Sequence, residues 1–257
     1  MNGHHLNTGS PRAGRLLSGL LLIATAATAC TAPEPTKPPV PGSDTPAWID
    51  LAPYRQGLDA GEVYRVVPER SRTDIVVRRG GALQRLGHDH VVTLRKIDGY
   101  VRHVPGSSRE SRADLVIELV SAEVDETAAR SVWGLDTSPG AEDIERTRSN
   151  LLERVLETDR WPLARIELIV LSTDAESVEA AATLYIKGQA HRFPVTALLV
   201  PEDGRLRAVG AFALRQSDLG IEPFSVLGGA LRVADRVEIA FQIEADRISR
   251  LDPVRTH

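Results

Sequence analysis

The sequence predicts an all-β fold of antiparallel strands with one helix crossing between them. Beyond residue 62 most segments alternate apolar and polar side chains with a period of two, as a sheet with one buried face does. These segments are short, closely spaced and separated by turn residues, which points to a barrel or a sandwich. One stretch, Glu142 to Glu157, changes to helical spacing.

The chain of 257 residues opens with an export signal. Arg12 and Arg15 precede an apolar stretch, Leu16 to Ala29, that is too short to span a bilayer and ends in small residues. Cys30 is the only cysteine and follows Ala27-Thr28-Ala29 directly. It reads as a lipobox, with residues 1–29 removed and Cys30 acylated. The competing reading, ordinary Ala-x-Ala cleavage, would leave a free thiol on an exported chain. Acylation makes a membrane the partner of the mature N-terminus, since each buried CH₂ contributes about 0.8 kcal/mol. Thr31, rather than Asp, after the cysteine directs such a lipoprotein to the periplasmic face of the outer membrane. Acylated Cys30 cannot pair, so stability must come from the core.

Residues 30–55 read as a Pro-rich tether, kept extended by Pro33, Pro35, Pro38, Pro39, Pro41 and Pro46. Trp48, Ile49, Leu51 and Tyr54 gather near its end and are expected to pack on the outside of the domain, which occupies residues 60–250. Val63–Val67 and Asp74–Arg78 are short β-rich runs. Val91–Val104 reads as one longer strand in which Gly99 marks a bulge or bend. Ala113, Leu115, Ile117 and Leu119 share one face of the next strand. The helix over 142–157 then carries Ile144, Leu151, Leu152, Val155 and Leu156 and is stopped before Trp161-Pro162. Alternation resumes in Ile166–Val170, Val178–Ile186, Phe193–Leu199 and Val237–Ile243.

A net charge of −4 with no basic stripe excludes nucleic acid as a partner. There is no Gly-x-Ser-x-Gly elbow, Ser217 and Ser225 have no neighbouring His, and Asp143 and Glu145 lie on a solvated helix face. Neither catalysis nor a cofactor is expected. In Gly87-His88-Asp89-His90 the two imidazoles point to one face of a strand, so His88 and His90 could share a metal if His191 or His103 supplied a third ligand. A hydrogen-bonded His pair is the preferred reading, and a metal-binding or catalytic protein centred on the pair is the alternative. Aromatics make up only 4% of the chain, and the inward-facing sets are small aliphatics. Such a lining leaves a hollow lumen or packs as a solid core, the latter suiting a structural envelope protein. No signal for an oligomeric state is present.

Three motifs carry a family resemblance: Asp159-Arg160-Trp161-Pro162, then Gly188-Gln189-Ala190-His191-Arg192-Phe193-Pro194-Val195, then Gln216-Ser217-Asp218-Leu219-Gly220-Ile221. In order and spacing they resemble the YceI-like family of periplasmic and secreted proteins, some named polyisoprenoid-binding, over about Tyr64 to Ile248. The resemblance implies an elongated, lipocalin-like antiparallel barrel of about eight strands. It also implies a long-chain amphipathic lipid, polyisoprenoid or fatty acyl, held in the lumen for carriage, storage or sequestration. The lumen residues expected from alternation are Ile117, Leu168, Leu184, Phe193, Val195, Phe212, Phe224 and Phe241. Arg192 and Arg215, near strand ends, are candidate contacts for an anionic head group, although a solvated surface Arg is the commoner case. Gly220 reads as a turn residue with positive φ rather than part of a site.

Overall fold

A computed structural model describes residues 49–252 apart from 61, 175 and 176. The signal, Cys30 and most of the tether lie outside the described residues. Twelve strands form one antiparallel sheet: β1 (Val63–Val66), β2 (Arg72–Gly80), β3 (His90–Leu94), β4 (Ile97–Arg102), β5 (Arg112–Glu118), β6 (Glu123–Val124), β7 (Leu163–Asp174), β8 (Ser177–Ile186), β9 (Gln189–Glu202), β10 (Arg205–Arg215), β11 (Ser225–Val226) and β12 (Leu231–Arg247). Three pairs of these are single barrel walls broken in the middle. β12 pairs with β2 along Arg232–Gln242 and with β1 along Ala245–Arg247, so β1 and β2 run end to end along one neighbour. The break between them is a 3-10 turn over Pro68–Arg70, where proline has no N–H for a ladder. β3 and β4 are likewise one wall, broken at Arg95-Lys96, and β5 and β6 another, broken at Leu119–Ser121.

Counted this way, eight walls follow one another up and down and close where β12 meets β1 and β2. Closure removes most of the free sheet edge that would otherwise invite pairing with another chain. The expected strand over 91–104 is therefore two, because the chain must step between partners at Arg95-Lys96. Gly99 is where β4 and β5 come closest: a Cβ there would lie 2.1 Å from the Asp114 carbonyl oxygen.

The helical stretch forms as expected but in two conformations. Helix α3 (Ala141–Ser149) continues as a π-helical turn over Asn150–Val155, and Glu157, at φ +52°, ends it one turn before Trp161-Pro162. Ile144, Leu151, Leu152 and Val155 pack against the main core. Arg148 donates to the carbonyls of Ala122 and Val120, tying α3 to the edge of β6, which pairs only with β3. The helix thus covers the gap between β6 and β7. Two short helices, α1 (Ala52–Arg55) and α2 (Thr127–Val132), accompany it.

The ordered domain starts earlier than residue 60. Ile49, Leu51, Tyr54 and Leu58 join Val63, Tyr100, Val116, Leu163, Ile248 and Leu251 in a second apolar cluster on the outer face. Val116 is apolar although it points outward because this segment covers it. The Tyr54 hydroxyl donates to Asp114 Oδ2 at 2.5 Å, and burial, with Asp114 adding, pushes the phenol far above its ordinary pKa.

Gly99→Ala is expected to lower stability by about 3 kcal/mol or more, since backbone must move to admit the methyl group. Gly106→Ala, at φ +78° but in open space, is expected to cost about 1 kcal/mol. Urea unfolding of the two variants beside the parent tests this, and equal losses would refute the close approach.

Candidate functional site

Inward positions of the eight walls enclose a cavity of about 310 Å³, within the size range of small-molecule sites. It is hollow because the inner face is built from short side chains. Ala164 on β7, Ala180 and Ala182 on β8, Ala197 on β9 and Ala208 on β10 all face it. The bulk that remains is a ladder of rings, Phe193 to Phe212 at 5.7 Å between centroids and Phe212 to Phe241 at 6.3 Å. Gly210 makes room for the last of these, as a Cβ there would lie 2.5 Å from the Phe241 ring.

Seven of the eight residues expected to line a lumen do so: Ile117, Leu168, Leu184, Phe193, Val195, Phe212 and Phe241. Phe224 is placed elsewhere, beneath the guanidinium of Arg154 at 4.8 Å. It falls in the irregular segment before β12, where alternation does not operate.

The two ends of the cavity differ. At the end where β4 finishes and β5 begins, Arg102, His103, Ser111 and Arg112 contribute to the lining. Their polar groups are mostly taken: Arg102 pairs with Glu62 at 3.3 Å and Arg112 with Asp114 at 2.8 Å. Ser111 Oγ donates to the Ser107 carbonyl. Burial lowers the pKa of His103, against an opposing pull from Glu62, so the ring is neutral near pH 7. Sequence reasoning named His103 only as a spare metal ligand, since its place on the inner face depends on the β4–β5 register.

The other end is closed by the helix, with Leu151, Val155 and Leu156 over the lumen beside Leu219 and Ile221. The sequence motifs fasten this cap. Lys187, in the β8–β9 turn, donates to the Val155 carbonyl at 2.9 Å and pairs with Glu157 at 2.5 Å. Trp161 lies against Gly188, where a Cβ would be 2.6 Å from the indole, and Arg160 stacks on Trp161 at 4.9 Å. In the turn after β10, Ser217 Oγ donates to Asp235 Oδ2 at 2.7 Å, Gln216 Nε2 donates to the Ala234 carbonyl, and Gly220 adopts φ +65°. Ser225 is exposed on β11 and Asp143 pairs with Arg146.

His88 and His90 sit at this capped end, with ring centroids 6.2 Å apart. His90 Nδ1 meets Asp125 Oδ2 at 2.5 Å, and the other oxygen of Asp125 accepts from Arg130 at 2.5 Å and from the Val91 N–H at 3.1 Å. Asp89 faces the other way, as expected, toward Arg78 and Arg79. Among the described residues no three His, Cys, Asp or Glu side chains converge as a metal site. The Nδ1 of His88 and the Nε2 of His191 are buried without hydrogen-bond partners.

Besides the β6–β7 gap under the helix, one further junction between walls is incomplete. β9 and β10 are joined through only five residue pairs, from Arg205↔Glu202 to Val209↔Leu198. Above that point β9 bonds only to β8 and β10 only to β12. The seam between them is spanned inside by the Phe193 and Phe212 rings. Arg192 and Arg215 are exposed on its two sides, pointing away from the cavity.

The family model for the YceI-like domain matches residues 64–245. Among solved structures, Burkholderia cenocepacia BcnA superposes with a TM-score of 0.53 at 14% identity, over 70% of this chain and 98% of its own. A polyisoprenoid binding domain from Saccharophagus degradans, implicated in plant cell wall breakdown, gives a TM-score of 0.52 at 12% identity, over 72% of this chain and 98% of its own. At these identities the likeness is one of fold. No curated protein matches the sequence.

Burial alone would raise the pKa of Asp125, but His90, the Val91 N–H and Arg130 outweigh it and hold the carboxyl below its ordinary value. Its contribution to stability is therefore complete above the unfolded-state pKa and is lost as pH falls through the lower folded-state value. Asp125→Asn is expected to cost about 3 kcal/mol at neutral pH, because Arg130 stays buried without its counter-charge. The difference from the parent should shrink in acid below about pH 4. Denaturant midpoints across that range provide the check.

Proposed function

This chain belongs to the YceI-like family, and from that premise we propose that its barrel holds a long-chain amphipathic lipid, polyisoprenoid or fatty acyl, without catalysing a reaction on it. The observation that carries the reading is the continuous aliphatic cavity inside a closed wall of strands. An apolar chain placed there gains roughly 25 cal/mol for each Å² removed from water and needs no polar partner along its length. The polar groups at the β4–β5 end are suited to orienting a head group rather than to chemistry, because their charges are already balanced by Glu62 and Asp114.

The same proposal extends to location. Acylated Cys30 anchors the chain to the periplasmic face of the outer membrane, and residues 30–55 let the barrel stand off from it. Carriage, storage or sequestration of a lipid in the cell envelope is then the role that the features support together. Cys30→Ser is expected to move the protein from the membrane fraction to the soluble fraction.

Native mass spectrometry of the purified protein, followed by organic extraction, tests the central claim. One long-chain species per chain is expected. Ala182→Trp, which fills the lumen from β8, should remain folded and lose that species. An apo mass for the parent, together with no rise in melting temperature on adding prenols or fatty acids, would instead favour a solid-cored structural protein.

A further inference from the structure

The barrel wall has a seam where two neighbouring strands part. β9 and β10 stop pairing at Leu198 and Val209, while both strands continue past that point for several residues. Two adjacent strands that do not bond leave a row of backbone N–H and C=O groups without ladder partners, a costly arrangement inside an otherwise closed sheet. Side chains, not hydrogen bonds, close the seam from inside, through the stacked Phe193 and Phe212 rings that also line the lumen. Aromatic rings can swing on their χ angles where a ladder would have to be broken. At the top of the seam His191, opposite Leu184 and so on the inner face, has a buried Nε2 with no partner.

The outside of the seam is apolar and cationic. Leu198 is 44% exposed and Val209 37%, and both stand at the point where the strands part, with Pro194 and Ala211 exposed above them. Continuing the β9–β10 register past Val209 brings Arg192 opposite Arg215. Both guanidinium groups are exposed; Arg215 lies near enough to Asp235 to help Ser217 lower its pKa, while Arg192 faces solvent. Of the carboxylates on the flanking strands, Glu238 pairs with Arg78, Glu179 accepts from the Ser172 hydroxyl, and Asp235 accepts from Ser217 within the field of Arg215. An apolar strip crowned by two exposed guanidinium groups is complementary to a bilayer surface that carries anionic head groups.

We propose that the seam between β9 and β10 is the lateral port through which the lipid passes, and that the surface around it docks on an anionic membrane. This rests on the lumen reading above. In it the chain slides sideways from bilayer to lumen past Phe193 and Phe212, and the capped end need not open.

The test follows uptake of a fluorescent anthroyloxy-palmitate from vesicles. Residues 37–257 serve as the protein, since the described residues within them supply their own apolar clusters. Transfer from phosphatidylglycerol-containing vesicles should be about tenfold faster than from pure phosphatidylcholine. Arg192→Glu with Arg215→Glu should abolish that ratio and leave the equilibrium affinity for the free probe unchanged. Leu198→Asp with Val209→Asp should slow transfer from both kinds of vesicle. Rates indifferent to vesicle charge and to both pairs of substitutions, with the probe still bound at equilibrium, would overturn the port alone. No binding of the probe at equilibrium by the parent would overturn the lumen reading and the port with it.

Discussion

Closure of the sheet by its last strand is the constraint on which everything else depends. β12 runs for 17 residues, bonding to β10 on one side and to β2 and β1 in succession on the other. Once that ladder forms, every inward side chain is committed to a common interior. The interior can then be filled or left open only through side-chain size. Here the choice falls on alanine, valine and leucine with three phenylalanine rings, and the result is a hollow. Hydrophobic burial stabilises the wall, while the short side chains limit how much of it is used by the protein itself.

The inner face was readable in the sequence because a strand's period of two assigns faces without knowledge of its neighbours. That is why Leu168, Leu184 and Val195 could be placed from their own segments. Phe224 could not, since no alternation surrounds it. Helix α2, with six residues, is too short to display a period. The break between β3 and β4 was hidden because β-rich residues lie on both sides of Arg95-Lys96, and the change of partners is what separates the two strands. The seam was hidden because the end of a ladder depends on both strands at once; Pro194, which has no N–H to offer, is a local sign of it within β9.

The motifs that identify the family have a mechanical meaning. Lys187, Trp161 against Gly188, and Ser217 on Asp235 all act at one rim, where they hold the helical cap and the turn after β10 in place. The opposite rim has different polar residues, with internally balanced charge. A buried His90–Asp125–Arg130 network stiffens the capped rim further. The barrel is therefore held firmly at the end that the motifs mark, and the β9–β10 seam, unlike the β6–β7 gap, has no helix over it.

The outer cluster built on Ile49, Tyr54 and Leu251 has a consequence for how the protein bears force. Both ends of the described residues are laid against the same stretch of outer wall, and the Asp252 carbonyl accepts from Tyr100 and Arg65 there. A pull on the chain ahead of Ile49 is thus met first by this latch, in shear against β4 and β5. The same latch holds β1 through Val63 and Arg65, so it must yield before that pull reaches the β1–β12 ladder.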